Sequence, residues 1–210
     1  MKNLKEFILE SINEANDENE ALIRAFLEEN YKIRGSYTIK NGVVNAGGSI
    51  WAKNQNNMEY LTNGLFKFGK VGGFFNCLNC GKLKSLEGAP EKVGGYFLCT
   101  GSAYLKTLEG APKKVDGSFI CEGNHWLKSL EGAPEKVGGC FDCSNCSDLP
   151  TLKGAPKEVD GYFSCYGCKS LKSLEGAPEK VSGHFNCKNC PKLKSLEGAP
   201  DAEEIWSDIQ

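Results

Sequence analysis

VGGFFNCLNCGKLKSLEGAPEK, from Val71 to Lys92, returns almost verbatim five more times, so the chain reads as a stack of one small unit. Gly-Ala-Pro falls at 88–90, 110–112, 132–134, 154–156, 176–178 and 198–200, a constant interval of 22 residues. A fixed period of this length, with apolar residues in register, signals a solenoid, because no unit can bury its apolar face without neighbours. The same regularity says little about chemistry. Stacked copies of a structural residue look like a motif without being a site.

Within the unit, Phe75, Phe97, Phe119, Phe141, Phe163 and Phe185 stand two residues before Cys77, Cys99, Cys121, Cys143, Cys165 and Cys187. A spacing of two puts each Phe and its Cys on the same side of a short strand, facing inward. The Leu pairs from 83/86 to 193/196 line the rest of the interior, and the Val column from Val71 to Val181 closes it on the return path. Gly-Ala-Pro makes the bend, since Pro offers no N–H to a ladder and Gly tolerates special backbone angles. A weaker copy comes first: Gly48, Ile50, Ala52, Gln55, Met58 and Leu61 reproduce the spacing of Gly73, Phe75, Cys77, Cys80, Leu83 and Leu86. Leu61 to Val71 then carries three extra residues, and the count of strands becomes seven.

Each end of such a sheet needs covering. Residues 1–34 suit one end as a helical cap: Leu4, Phe7, Ile8 and Ile12 recur at helical spacing, a break is expected over Asn13–Asp17, and Asp17 with Glu20 resembles a capping box for a second helix bearing Leu22, Ile23, Phe26 and Leu27. Tyr37–Ile39 reads as a bridging strand. Residues 35–200 form the seven-rung solenoid, and 201–210 the C-terminal cap, where Asp201 opens a one-turn helix laying Ile205, Trp206 and Ile209 over the last core layer.

Composition excludes several classes. With 25 basic against 27 acidic residues and a formal charge of −2, the chain lacks the basic excess that tight nucleic-acid binding wants. The N-terminal stretch is polar and charged, unlike a signal peptide, and no apolar run is long enough to span a membrane. Eleven cysteines, an odd number tied to the repeat, point to reduced thiols in a cytoplasm.

The segment FxCxxCxxLxxL, as in Phe75–Leu86 and Phe185–Leu196, resembles the LxxLxLxxNxL and LxxLxLxxCxxL segments of leucine-rich repeat proteins over roughly residues 44–200. Phe and the first Cys take two strand leucine positions and the second Cys the Asn/Cys ladder position, where Asn124 also falls. The repeat is similar to that of uncharacterised bacterial and bacteriophage proteins with tandem Leu-x-Ser-Leu-Glu-Gly-Ala-Pro units. The resemblance implies a right-handed, leucine-rich-repeat-like stack with one parallel β-sheet on a concave side. Phe and Cys in place of Leu make a flatter parallel β-helix the alternative.

Several columns carry candidate chemistry. The CxxC pairs, above all Cys143/Cys146, Cys165/Cys168 and Cys187/Cys190, offer facing thiolates to zinc or to redox chemistry, but the first Cys persists where the second is Ser102 or Asn124, as a core residue does. Lys84, Lys106, Lys128, Lys172 and Lys194 would suit an anion, yet the acidic column Glu87, Glu109, Glu131, Glu175 and Glu197 three residues on reads as its partner in a solvated zipper. The Gly-Gly steps lack the context of a phosphate loop. His125 and His184 have no catalytic partners and read as surface residues on the sheet or its rim.

The outward strand positions vary instead. Phe74, Leu78, Tyr96, Leu98 and Ile120 gather in the N-terminal half, Tyr104 and Trp126 lie on the rim, and Tyr162, Tyr166 and His184 follow toward the C-terminus. Exposed aromatic and aliphatic residues in one patch suggest an interface. The expectation is a non-enzymatic scaffold without cofactors that binds a protein partner through its concave sheet. The alternatives are a zinc- or redox-active cysteine ladder, and a sponge for a small anionic ligand using the Lys column.

Overall fold

In the computed structural model, which describes residues 4–53 and 57–209 and side chains from residue 15 onward, the chain is a β-solenoid of stacked turns capped by one helix. Its elements begin with α1 (Leu4–Asn30), β1 (Tyr31–Ile33), β2 (Tyr37–Lys40), β3 (Val43–Ala46), β4 (Ile50–Ala52), β5 (Lys67–Val71) and β6 (Phe75–Asn76). The regular rungs supply β7 (Lys92–Val93), β8 (Phe97–Leu98), β9 (Lys114–Val115), β10 (Phe119–Ile120), β11 (Lys136–Val137), β12 (Phe141–Asp142), β13 (Glu158–Val159) and β14 (Phe163–Ser164). The chain closes with β15 (Lys180–Asn186) and β16 (Asp201–Trp206).

Two parallel ladders result. One runs β4-β6-β8-β10-β12-β14-β15 and carries the Phe column, and the other runs β3-β5-β7-β9-β11-β13-β15 and carries the Val column. The return path is therefore itself a strand. Register is one-to-one, with Phe97, Phe119, Phe141 and Phe163 paired in sequence. A bend at the Val-x-Gly step separates the ladders: a Cβ on Gly117 would come 2.7 Å from the carbonyl carbon of Gly95 in the rung above. The six Phe side chains are fully buried and their rings stack at centroid separations of 5.1–5.7 Å, close to the interstrand spacing. The weak first copy joins them, with Ile50 beneath Phe75 and Ala52, Met58 and Leu61 buried; Gln55 lies outside the described residues.

Beyond the strand, the inward positions are every third residue: Cys77, Cys80, Leu83, Leu86 and Ala89. The chain advances by tight turns in which the inward N–H donates to the preceding inward carbonyl, Cys80 to Cys77 at 3.3 Å, Leu83 to Cys80 at 2.8 Å and Ala89 to Leu86 at 2.9 Å. The first turn needs a left-handed residue. Asn79, Gly101, Gly123, Asn145, Gly167 and Asn189 occupy that position, all with φ between 58° and 71°. The last is a type II turn, with Gly88 at φ 86° in its third position.

The caps differ from expectation. A single helix runs unbroken through Asn13–Asp17, because no residue from Leu4 to Asn30 is Gly or Pro. Ile23 and Leu27 are buried over the first rung with Phe26 beside them, while Leu22 faces solvent; Leu4, Phe7, Ile8 and Ile12 lie outside the described side chains. The sheet edges are closed by strands, β1 antiparallel to β4 and β2 antiparallel to β3. Tyr31 seals the end of the core, its hydroxyl donating to the Leu61 carbonyl and its ring edge-on to Phe68 at 5.2 Å. At the other end Asp201–Trp206 is a strand, parallel to β15, where a one-turn helix was expected. Ile205 pairs with Phe185, 20 residues back, and Ala202 with Val181, 21 back, so β16 extends both ladders at the expense of the Gly corner.

The phenyl stack sets a test. Phe119→Ala should lose about 3–5 kcal/mol in urea denaturation, through lost burial and the cavity left behind. Tyr96→Ala, one rung away but outward and 54 % exposed, should lose less than about 1 kcal/mol.

Candidate binding face

Residues flanking each buried Phe and Cys point away from the core, so the outer surface of the Phe ladder presents columns of side chains about 4.8 Å apart. Its N-terminal half is apolar. Phe74 and Leu78 are half-buried, Tyr96 is exposed, and Leu98 lies in register beside Ile120. Phe74 meets the edge of Trp51 at 4.5 Å, and the Arg34 guanidinium sits 5.2 Å over that indole. Tyr104 and Trp126 lie past the left-handed turn, on the next side of the rung. Their rings contact each other at 5.5 Å, and among the described residues neither touches the rings of Phe74 or Tyr96.

The middle of the face is polar and more closed than the sequence suggests. Ser118, Ser144 and Ser164 are buried; the Ser118 hydroxyl accepts from the Cys140 N–H at 3.0 Å, and the Ser144 and Ser164 hydroxyls lie 2.8 Å apart. Asp142 accepts from the Ser144 N–H at 2.9 Å and Glu122 from the Asn145 amide at 3.3 Å. Partial burial, with Asp142, Cys140 and Glu122 nearby, raises the Tyr162 phenol above its usual range.

The C-terminal part is an aromatic pile. Tyr162, His184 and Trp206 stack at 5.1 and 3.9 Å with planes within 13° of parallel, and Tyr166 is 41 % exposed nearby in sequence. His125 is on the exposed surface, its Nδ1 3.0 Å from the Asn145 carbonyl oxygen. Sequence reasoning left Arg34, Trp51 and Trp206 out of the face. Extending the Asn76 column back one rung would have found Trp51; the register of β16 hid Trp206.

The cysteines have a different place. All eleven are free thiols, and all but the half-buried Cys140 are buried. Thiols of the second column reach back one rung: Cys146 donates to the Cys121 carbonyl at 3.4 Å, Cys168 to Cys143 at 3.3 Å and Cys190 to Cys165 at 3.2 Å. The Asn124 amide makes the equivalent bond to Cys99 at 3.1 Å. Ser102, in the same column, has no partner for its buried hydroxyl among the described residues. Among those residues no three His, Cys, Asp or Glu side chains converge as a metal ion would require. Burial pushes Cys77, Cys99, Cys121 and Cys143 well up, Cys80 to about 12 and Cys187 to about 11. Hydrogen bonding with Cys190, then burial, raises Cys165, and the less buried Cys190 is correspondingly held below the ordinary thiol range.

The expected Lys–Glu zipper does not form among the described residues. Lys84 pairs with Glu59 at 2.7 Å, one rung up in its own column, and Lys153, which replaces Glu in the acidic column, pairs with Glu131 at 3.7 Å. Further pairs sit beside the Val ladder, as Lys92–Asp116 at 3.1 Å and Lys136–Glu158 at 2.9 Å. Neighbours across rungs are nearer than residues three apart along a turn. No described helix is long and apolar enough to cross a membrane.

Comparison with protein-family models, curated proteins and solved structures found no match to the chain.

The thiols generate two tests. A thiol buried with its proton stabilises the folded chain fully below the unfolded value near 8.5, and that stabilisation is lost as pH climbs toward the folded values of about 11 and 12 at Cys187 and Cys80. The urea midpoint should fall between pH 8 and 10, less so in the Cys143→Val, Cys165→Val, Cys187→Val variant, and at pH 7.5 a thiol reagent should label Cys140 first. Separately, Ser102→Cys should gain about 1 kcal/mol by reaching the Cys77 carbonyl, read as a raised denaturation midpoint.

Proposed function

We propose that the chain is a non-enzymatic scaffold that binds a protein partner through the outer face of its Phe ladder. The carrying observation is a contrast within each rung. The inward Phe, first-Cys, Leu and Val columns each repeat one residue type, whereas the outward columns change from apolar to acidic to aromatic along the stack. Tyr96 at 54 % exposure, with the half-buried Leu98 and Ile120 beside it, offers apolar contact area on the outer face, which favours an interface. A face built on paired strands presents its side chains already ordered, so less entropy is lost on binding.

The resemblance of the rung to leucine-rich repeats supports the same reading, with this face as the concave one. The likeness of the Leu-x-Ser-Leu-Glu-Gly-Ala-Pro unit to bacterial and bacteriophage repeats points to an accessory or host-interaction role, and the reduced thiol ladder to a cytoplasmic setting.

A pull-down from the native host tests the reading. A partner captured by the parent chain should be lost, by at least ten-fold, with Leu98→Glu/Ile120→Glu at unchanged melting temperature. Equal capture by both would place the interface elsewhere.

A further inference from the structure

Apart from the shortened register of β16, the solenoid departs from its period once, and a cavity lies at that departure. The three extra residues between Leu61 and Val71 build a tight turn, Thr62–Leu65, in which the Leu65 N–H donates to the Thr62 carbonyl at 3.0 Å and Asn63 and Gly64 have φ of 49° and 74°. Both central residues left-handed makes a type I′ turn. A second Asn-Gly turn of the same kind, Asn41 and Gly42 at φ 50° and 69°, joins β2 to β3. These two and the Glu87–Gly88 turn surround a half-open cavity of about 730 Å³, within the range of small-molecule sites. Backbone bonds hold the turns together: the Lys67 N–H donates to the Gly42 carbonyl at 2.9 Å and the Phe68 N–H to that of Gly88 at 3.2 Å.

The polar side chains of the lining have no hydrogen-bond partner within the chain among the described residues. Thr62 is 4 % exposed, its hydroxyl packed where a Cβ on Gly88 would come within 2.6 Å, and it has no hydrogen-bond partner among the described residues. The side chains of Asn41, Asn63, Lys67 and Glu87 likewise make no hydrogen bond or ion pair there. The Thr62 hydroxyl and the exposed amides of Asn41 and Asn63 thus leave donors and acceptors on the cavity wall free for a bound molecule. Lys67 and Glu87 are exposed and of opposite sign, giving little net field to a phosphate and little screened attraction to a zwitterion. What remains are amides and a hydroxyl, each both donor and acceptor, beside an apolar strip of Val43, Tyr60 and Phe66. Sugar hydroxyls and the C–H face of a pyranose ring match that alternation, and the volume admits more than one ring.

We propose that this cavity binds a short neutral oligosaccharide, independently of the Phe-ladder face. Saturation-transfer NMR on the full chain, with maltotriose, cellotriose and tri-N-acetylchitotriose at millimolar concentration, tests it. At least one should receive magnetisation from the protein, and the signal should fall at least five-fold in Thr62→Val and in the double variant Asn41→Gly/Asn63→Gly. Glycine keeps both left-handed backbones while removing the amides, and valine keeps the shape of threonine, so melting temperatures should hold; if one variant unfolds, the other decides. Absence of transfer to all three sugars, transfer that survives in a folded variant, or binding of phenylalanine or inorganic phosphate in place of the sugars would overturn the proposal.

Discussion

In-register parallel stacking is the constraint from which the rest follows. Once one rung lies about 4.8 Å above the next, every side chain has its equivalent as its nearest neighbour, and a column succeeds only if its residue packs well against itself. Phenylalanine does so by offset stacking, which is why the six rings repeat without substitution. Charge does so badly. Lys84 therefore finds Glu59, and Lys153 interrupts a column of glutamates.

The thiol ladder obeys the same rule at the polar margin of the core. The carbonyls of Cys99, Cys121, Cys143 and Cys165 are each met by a side-chain donor from the following rung, and Cys and Asn both supply one from the same backbone position. Those thiols are packed as small apolar residues with a weak donor. That account covers the exchange of Cys and Asn in the second position without a ligand, while Ser102 fills the same place without making the bond.

Function is free to occupy only what the ladders leave over. Outward side chains touch little besides each other, so they can differ from rung to rung, and the face becomes a strip with an apolar end, an acidic middle and an aromatic end. The N-terminal irregularity is the other such place, since three additional residues could be accommodated only by looping away from the stack.

Much of this was legible in the residues. A 22-residue period, the Phe-x-Cys alternation and the Leu columns determine the solenoid, its core and its outward columns, because repetition makes each local inference six times over. The weak first rung was readable for the same reason. What tertiary structure decided lies where repetition fails. Helix α1 runs through a polar stretch that looks like a break, since its stability comes from docking Ile23 and Leu27 on the first rung. Asp201–Trp206 becomes a strand because β15 offers it an unpaired edge, and the shortened register turns Trp206 outward onto His184. Ser118 and Ser164 are buried by neighbours that no alternation pattern reveals. Asn41-Gly42 and Asn63-Gly64 are each visible as turns, but their meeting around one cavity depends on how far the chain travels between them, a quantity set by packing alone.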